Sequence, residues 1–197
     1  MSTAADWDRR FRKGDHTDTT PDPFFETSRK YWPLVTPAPA QDRTAPLAAV
    51  DIACGAGRHA VALASQGFDT TAVDFSPEAL RLVSDSARSR GLDIRTRRID
   101  LESTGASLGD SCFDLAFVFF YLHRPLFAAI DRCLRPGGLL IYKTYTVDQL
   151  LHGGRPRHKM YFLEHNELLR VFAGYRVLRY EEEWEGKGSA ALAAQKI

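Results

Sequence analysis

The feature that most limits the possible folds is an alternation: between Leu47 and Tyr142, short apolar runs take turns with segments of helical spacing. Leu47–Ile52 reads as a strand, Arg58–Gln66 as a helix ended by Gly67, and Thr70–Val73 as a second strand. Pro77–Arg90 reads as a helix, with Ser76 placed to cap its start and Gly91 to end it. Ile94–Ile99 alternates apolar with basic side chains, the pattern of a strand near a sheet edge, whereas Phe113–Leu122 is nearly all apolar and suits a strand covered on both faces. Leu126–Leu134 is a helix, Arg135–Gly138 a turn, and Leu139–Tyr142 another buried strand. The order β-α-β-α-β-β-α-β predicts an α/β fold: a doubly wound, mostly parallel sheet with helices on both faces.

The two ends depart from that rhythm. A helix from Glu164 to Phe172 leads to a strand, Tyr175–Trp184, a turn bearing Gly186 and Gly188, and a last apolar segment, Ala190–Ile197. Strands joined so briefly must be antiparallel, so the sheet should finish in a C-terminal hairpin. Upstream, Pro33–Pro46 is linker-like, because its prolines forbid a continuing helix or central strand. It separates an arm, residues 1–35, from the main domain, residues 36–197. The arm carries Trp7, Phe11, Phe24, Phe25, Tyr31 and Trp32, too many large aromatics for a solvated tail. It is expected to fold back as a lid over the strand ends.

A chain of 197 residues is long enough for one such domain and its core. Its formal net charge of +1 argues against the broad basic surface of a nucleic-acid binder. The longest strongly apolar run, Leu115–Leu122, is far short of the roughly 20 residues that cross a bilayer. Cys54, Cys112 and Cys133 have no C-x-x-C spacing, so neither a disulfide framework nor a metal site is expected, and because Met1–Arg10 carries two aspartates and no apolar segment of the kind a targeting signal has, a cytoplasmic setting is expected.

Open α/β sheets bind ligands at the carboxyl ends of their strands. The first strand ends in Asp51-Ile52-Ala53-Cys54-Gly55-Ala56-Gly57-Arg58, whose glycines allow a sharp turn and a close approach of backbone to ligand. Gly55-x-Gly57-x-x-Ala60 alone also satisfies the dinucleotide fingerprint. Asp51 discriminates: a carboxylate there repels a pyrophosphate and suits a ligand presenting an ammonium or a sulfonium. Asp74 ends the second strand roughly 20 residues on, the place from which a carboxylate reaches ribose hydroxyls, with Phe75 placed against a base. Asp100, followed by Leu101, is placed to accept from an exocyclic amine. Asp74 as a helix cap, Cys54 as a packing residue and Arg58 as an exposed first-turn arginine are the structural alternatives.

The stretches V-D-I-A-C-G-A-G-R-H-A-V-A-L-A, A-V-D-F-S-P-E-A-L and L-R-P-G-G-L-L-I-Y resemble the successive motifs of class I S-adenosylmethionine-dependent methyltransferases. With W-D-R-R-F, P-D-P-F-F and Y-L-H-R-P-L-F added, the chain is similar to the small bacterial tellurite-resistance-type and thiopurine-type enzymes. The resemblance implies a seven-stranded sheet with an antiparallel final hairpin, and S-adenosylmethionine as cofactor. It carries over Asp51, Gly55, Gly57, Asp74 and Asp100 as cofactor residues, alongside Ala53, Cys54, Arg58, Phe75 and Leu101 in the same loops. Arg58 is placed to pair with the methionine carboxylate.

Tyr121 and His123 follow the fourth strand, beside the position of the transferring methyl group, and are the catalytic candidates, His123 as general base. Lys143 and Tyr145, ending the fifth strand, can touch an acceptor or simply mark the strand's exit to solvent. No N/D-P-P-Y/F/W element is present, which leaves small molecules as the leading acceptors. The basic loop His152–Lys159 can close over an anionic one or remain a solvated loop. Two rival readings stand beside this: an NAD-dependent oxidoreductase, against which Asp51 counts, and a non-catalytic S-adenosylmethionine-binding partner protein.

Overall fold

The apolar runs all become strands of a single seven-stranded sheet: β1 (Ala48–Ile52), β2 (Asp69–Asp74), β3 (Ile94–Arg98), β4 (Phe113–Phe119), β5 (Leu134–Tyr145), β6 (Tyr175–Glu183) and β7 (Ser189–Lys196). This computed structural model describes residues 3–35, 45–153 and 158–197. The spatial order is β3-β2-β1-β4-β5-β7-β6. β1 to β5 run parallel, while β7 is antiparallel to both β5 and β6. The chain winds outward from β1 to β3, then returns to β4 on the other side of β1. That reversal creates the crevice in which open α/β sheets hold ligands.

Position in the sheet matches sequence character. All residues of β4, a central strand, are buried, whereas β3 lies at the edge and exposes its basic side chains. β5 is longer than its apolar run. Phe113 pairs with Leu134, then the register jumps so that Leu115 faces Leu139, and Arg135–Gly138, expected as a turn, becomes an irregularity inside the strand. Gly138 permits this: a Cβ there would lie 2.9 Å from the carbonyl oxygens of both Arg135 and Asp114.

Helices cover both faces. On one side lie α3 (Arg58–Ser65) and α4 (Pro77–Ser89); the other carries α5 (Phe127–Cys133) and α7 (Glu167–Val171). A short α6 (Gln149–His152) follows β5. Ser76 caps α4 by accepting from the Ala79 N–H at 3.1 Å, as its place before Pro77 predicts. α7 is shorter than the expected Glu164–Phe172 because Asn166 adopts a left-handed conformation, φ 59°, and the helix starts only after it.

The arm contains two helices that the apolar spacing did not reveal. α1 (Ala4–Arg12) begins with a capping box between Thr3 and Asp6, and α2 (Pro23–Ser28) with Asp22 as cap and proline in its first turn. Phe24, Phe25 and Trp32 then pack with Leu115, Phe117, Leu139 and Ile141, completing one face of the central sheet. Burying each such ring stabilises the fold by roughly 1.5–3 kcal/mol. Most of the Pro33–Pro46 linker, residues 36–44, lies outside the described residues, as do residues 154–157 of the basic loop. Among the described residues, no helix is long and apolar enough to cross a membrane.

Candidate cofactor site

Past β1 the chain takes a left-handed conformation three times in five residues, at Ala53 (φ 55°), Gly55 (φ 54°) and Gly57 (φ 83°). Ala53 carries strain of about 1–2 kcal/mol in that conformation. Asp74 fixes the turn. One of its carboxylate oxygens accepts from the Gly55 N–H at 2.9 Å and the other from the Ser76 N–H at 2.9 Å, so the end of β2 is stapled to the glycine loop. Burial pushes the Asp74 carboxyl up in pKa, against the pull of the Ser76, Gly55 and Phe75 N–H groups.

Asp51 lies deeper. It is 1% exposed and accepts from the Ala60 N–H at 3.0 Å, which sets its charge beneath the first turn of α3. Burial is the main reason its carboxyl is pushed up to about 7, with the charge of Asp74 adding to the effect. Two buried carboxylates therefore bias this end of the sheet towards negative potential. A cationic ligand suits such a loop and a pyrophosphate does not.

The two glycines differ in purpose. A Cβ on Gly57 would stand 2.5 Å from a methyl of Val83, so this glycine serves the close packing of α3 on α4. At Gly55 the Cβ would face the Phe11 ring at 3.7 Å, so there the loop is bare and covered by the arm. Cys54 turns its side chain into a cluster with Ala60, Ala72, Leu80 and Val83, where burial drives the thiol pKa up; its contribution to the loop is backbone. Phe75 is half-buried; Asp100 is exposed, and accepts from the Glu102 N–H at 3.0 Å; Leu101 belongs to the core with Leu108 and Leu122.

The arm holds this site from two sides. Asp8 of α1 accepts from the Ser76 hydroxyl and the Glu78 N–H, docking α1 on the start of α4 and laying Phe11 over Gly55. Asp22 forms a buried ion pair with Lys143 at 3.1 Å, and its N–H donates to Nε2 of His59 at 3.1 Å. His59 lies against Phe119 and Phe25, with ring centroids 4.0 and 5.3 Å away, and burial pushes its pKa down to about 3. It is a neutral acceptor. Asp18 approaches Arg58 at 3.8 Å.

At the ends of β4 and β5, Phe120 has φ 55°, a conformation that a bulky side chain rarely adopts, and its N–H donates to the Lys143 carbonyl at 2.8 Å. Its ring neighbours Tyr145 at 5.1 Å, with the Arg58 guanidinium 5.8 Å and the Lys143 ammonium 5.9 Å from its centre. Tyr121 follows with a buried hydroxyl that has no hydrogen-bond partner among the described residues. His123 is half-buried at the start of the next turn. Arg124 is taken up by Glu167, at 2.6 and 2.8 Å, and by the Phe162 carbonyl at 2.9 Å.

Ala53, Gly55, Gly57, Arg58, Asp51, Asp74 and Phe75 are thus brought to one end of the sheet, with Tyr121 and His123 on the next strand end. Sequence reasoning missed Asp8, Asp22 and His59, which join arm to loop. The Asp22-Pro23 cap signal was visible; nothing local marks Asp8 or His59. An orphaned hydroxyl, a bare glycine turn and carboxylates in place of cations fit a ligand that carries adenosine and positive charge.

The methyltransferase domain family matches residues 49–138. Hemagglutinin 1 of Eikenella corrodens is 30% identical over 152 residues, 73% of this chain and 48% of that protein. A ubiquinone biosynthesis O-methyltransferase of Methylococcus capsulatus is 33% identical over 101 residues, 49% of this chain and 42% of that one. The chain spans about half or less of the length of these relatives. TehB from Haemophilus influenzae has the same fold: its crystal structure matches at a TM-score of 0.71 and 16% identity, over 96% of this chain and 67% of that one.

Proposed function

We propose that the chain is a class I, S-adenosylmethionine-dependent methyltransferase that transfers the methyl group to a small molecule by in-line displacement, a reading supported by the methyltransferase domain match over residues 49–138 and by the fold shared with TehB. The cofactor supplies a carbon already activated by its sulfonium, so the protein's work is to hold the nucleophile in line and to exclude water. The negative potential of Asp51 and Asp74 favours a positively charged ligand at the loop, and Arg58, in the first turn of α3, would pair with the methionine carboxylate. α1 is the lid. Phe11, lying over Gly55, would help exclude water from a bound cofactor, and the Asp22–Lys143 pair keeps the arm against β5.

The observation that carries the reading is the glycine loop stapled by Asp74 over the buried Asp51. It counts against an NAD-dependent oxidoreductase, whose pyrophosphate would meet two carboxylates. The covering arm supports a small acceptor over a polymer. His123 would take the proton from a hydroxyl acceptor, and the O-methyl transfer named for the Methylococcus relative supports including hydroxyls. A thiolate or a reduced selenium or tellurium acceptor needs no base. The three free cysteines support a reducing, cytoplasmic setting.

The test is formation of S-adenosylhomocysteine from S-adenosylmethionine over small thiols, hydroxyl- and amine-bearing acids, and selenite and tellurite each supplied with excess thiol reductant, with nucleic acid as a control. Turnover on a small acceptor, lost in the His123→Ala variant only for hydroxyl acceptors, is expected. Cofactor binding with no turnover on any acceptor would favour the non-catalytic partner instead.

A further inference from the structure

We infer that Tyr121 is a ligand of the cofactor, its phenol donating a hydrogen bond to the adenosine half. Its hydroxyl oxygen is removed from solvent yet has no partner among the described residues. Leaving a buried hydroxyl unpaired costs about 1–3 kcal/mol, and in native proteins such orphans mark positions completed by something else. The side chain is firmly set: Tyr142 donates from its hydroxyl to the Tyr121 carbonyl at 3.0 Å, and the ring packs on the core that includes Leu101 and Leu122.

Its direction follows from its neighbours. β4 lies beside β1, with β2 and β3 beyond. Asp74 ends β2, Asp100 and Glu102 follow β3, and the charges of all three bear on the Tyr121 hydroxyl. The ring packs on the same core as Ala53, just past β1, and Leu101, just past β3, on the side of β4 from which Asp74 is proposed to meet a ribose. Burial, then those carboxylates, hold the phenol in its protonated form. A phenol so held is a donor at neutral pH, and ribose oxygens and purine ring nitrogens are acceptors; it is unsuited to removing a proton from an acceptor.

The test is Tyr121→Phe, which keeps the ring and removes only the orphan. Calorimetric titration of wild type and variant with S-adenosylhomocysteine, adenosine and methionine should show a five- to tenfold loss for the first two and none for methionine. Thermal melting of the ligand-free variant should be unchanged or higher, because no bond is lost. Unchanged affinity for S-adenosylhomocysteine, an equal loss for methionine, or a lower melting temperature without ligand would each overturn the inference. So would slower turnover at unchanged affinity, which would return Tyr121 to the acceptor side. Wild type that binds no S-adenosylhomocysteine would remove the cofactor reading on which the inference rests.

Discussion

Asp51→Asn isolates the cost of one buried charge. Asparagine is nearly isosteric, and its oxygen can still accept from the Ala60 N–H, so the variant removes charge and little else. Asp51 ionises near 3.8 in the unfolded chain and at about 7 in the fold. Between these values the folded state holds a proton that the unfolded state has released, so stability falls as pH rises through this window and levels off above it. Each pH unit is worth 1.36 kcal/mol, which sets the full penalty at about 4 kcal/mol. His59 works in the opposite sense, because its folded pKa lies near 3 against 6.5, so the wild-type profile alone is nearly flat between pH 4 and 6.5. The difference between variant and wild type cancels that term. Urea unfolding should show equal stability near pH 4 and a variant more stable by about 2–4 kcal/mol above pH 7.5. The same variant should bind S-adenosylmethionine at least tenfold more weakly, since the charge that destabilises the fold is the one that favours the ligand. A variant no more stable than wild type at pH 8.5, or a difference independent of pH, would refute the reasoning.

His59→Phe keeps the stack on Phe25 and Phe119 but orphans the Asp22 N–H. It should cost about 1–2 kcal/mol at pH 7 by urea unfolding, a deficit that vanishes or reverses by pH 4, where the unfolded imidazole takes up a proton that the buried, still neutral ring of wild type refuses. Gly57→Ala meets both a positive φ and Val83, so thermal melting should show a loss of about 2–3 kcal/mol whatever becomes of the cofactor. Removing residues 1–13 should leave cooperative unfolding and faster release of S-adenosylhomocysteine. Phe25→Ala, by contrast, should cost about 3–5 kcal/mol by urea unfolding, because Phe25 belongs to the core.

The sheet was legible because its rules are periodic. Nearly continuous apolar residues in β4 could only be a central strand, and the alternating basic residues of β3 an edge. The glycine loop was legible for the same local reason: Asp51, Gly55 and Gly57 are read together within seven residues. What escaped was long-range. Asp22 meets Lys143 across 121 positions and Asp8 meets Ser76 across 68, pairings that no local spacing encodes. Gly57 shows the intermediate case: its need for a positive φ is written in the sequence, but that its neighbour is Val83 and not a ligand is a matter of how two helices pack. The positive φ of Phe120 had no signal at all, since phenylalanine is the last residue type from which it would be inferred.

The central claim is that this glycine loop holds a positively charged adenosyl ligand and not a dinucleotide. Calorimetric titration of the full chain with S-adenosylmethionine, S-adenosylhomocysteine and NAD tests it most directly. The account predicts one site per chain for the first two, S-adenosylmethionine binding more tightly from pH 6 to pH 8 as Asp51 ionises, and no heat from NAD. Saturable binding of NAD with none of either adenosyl ligand would contradict it.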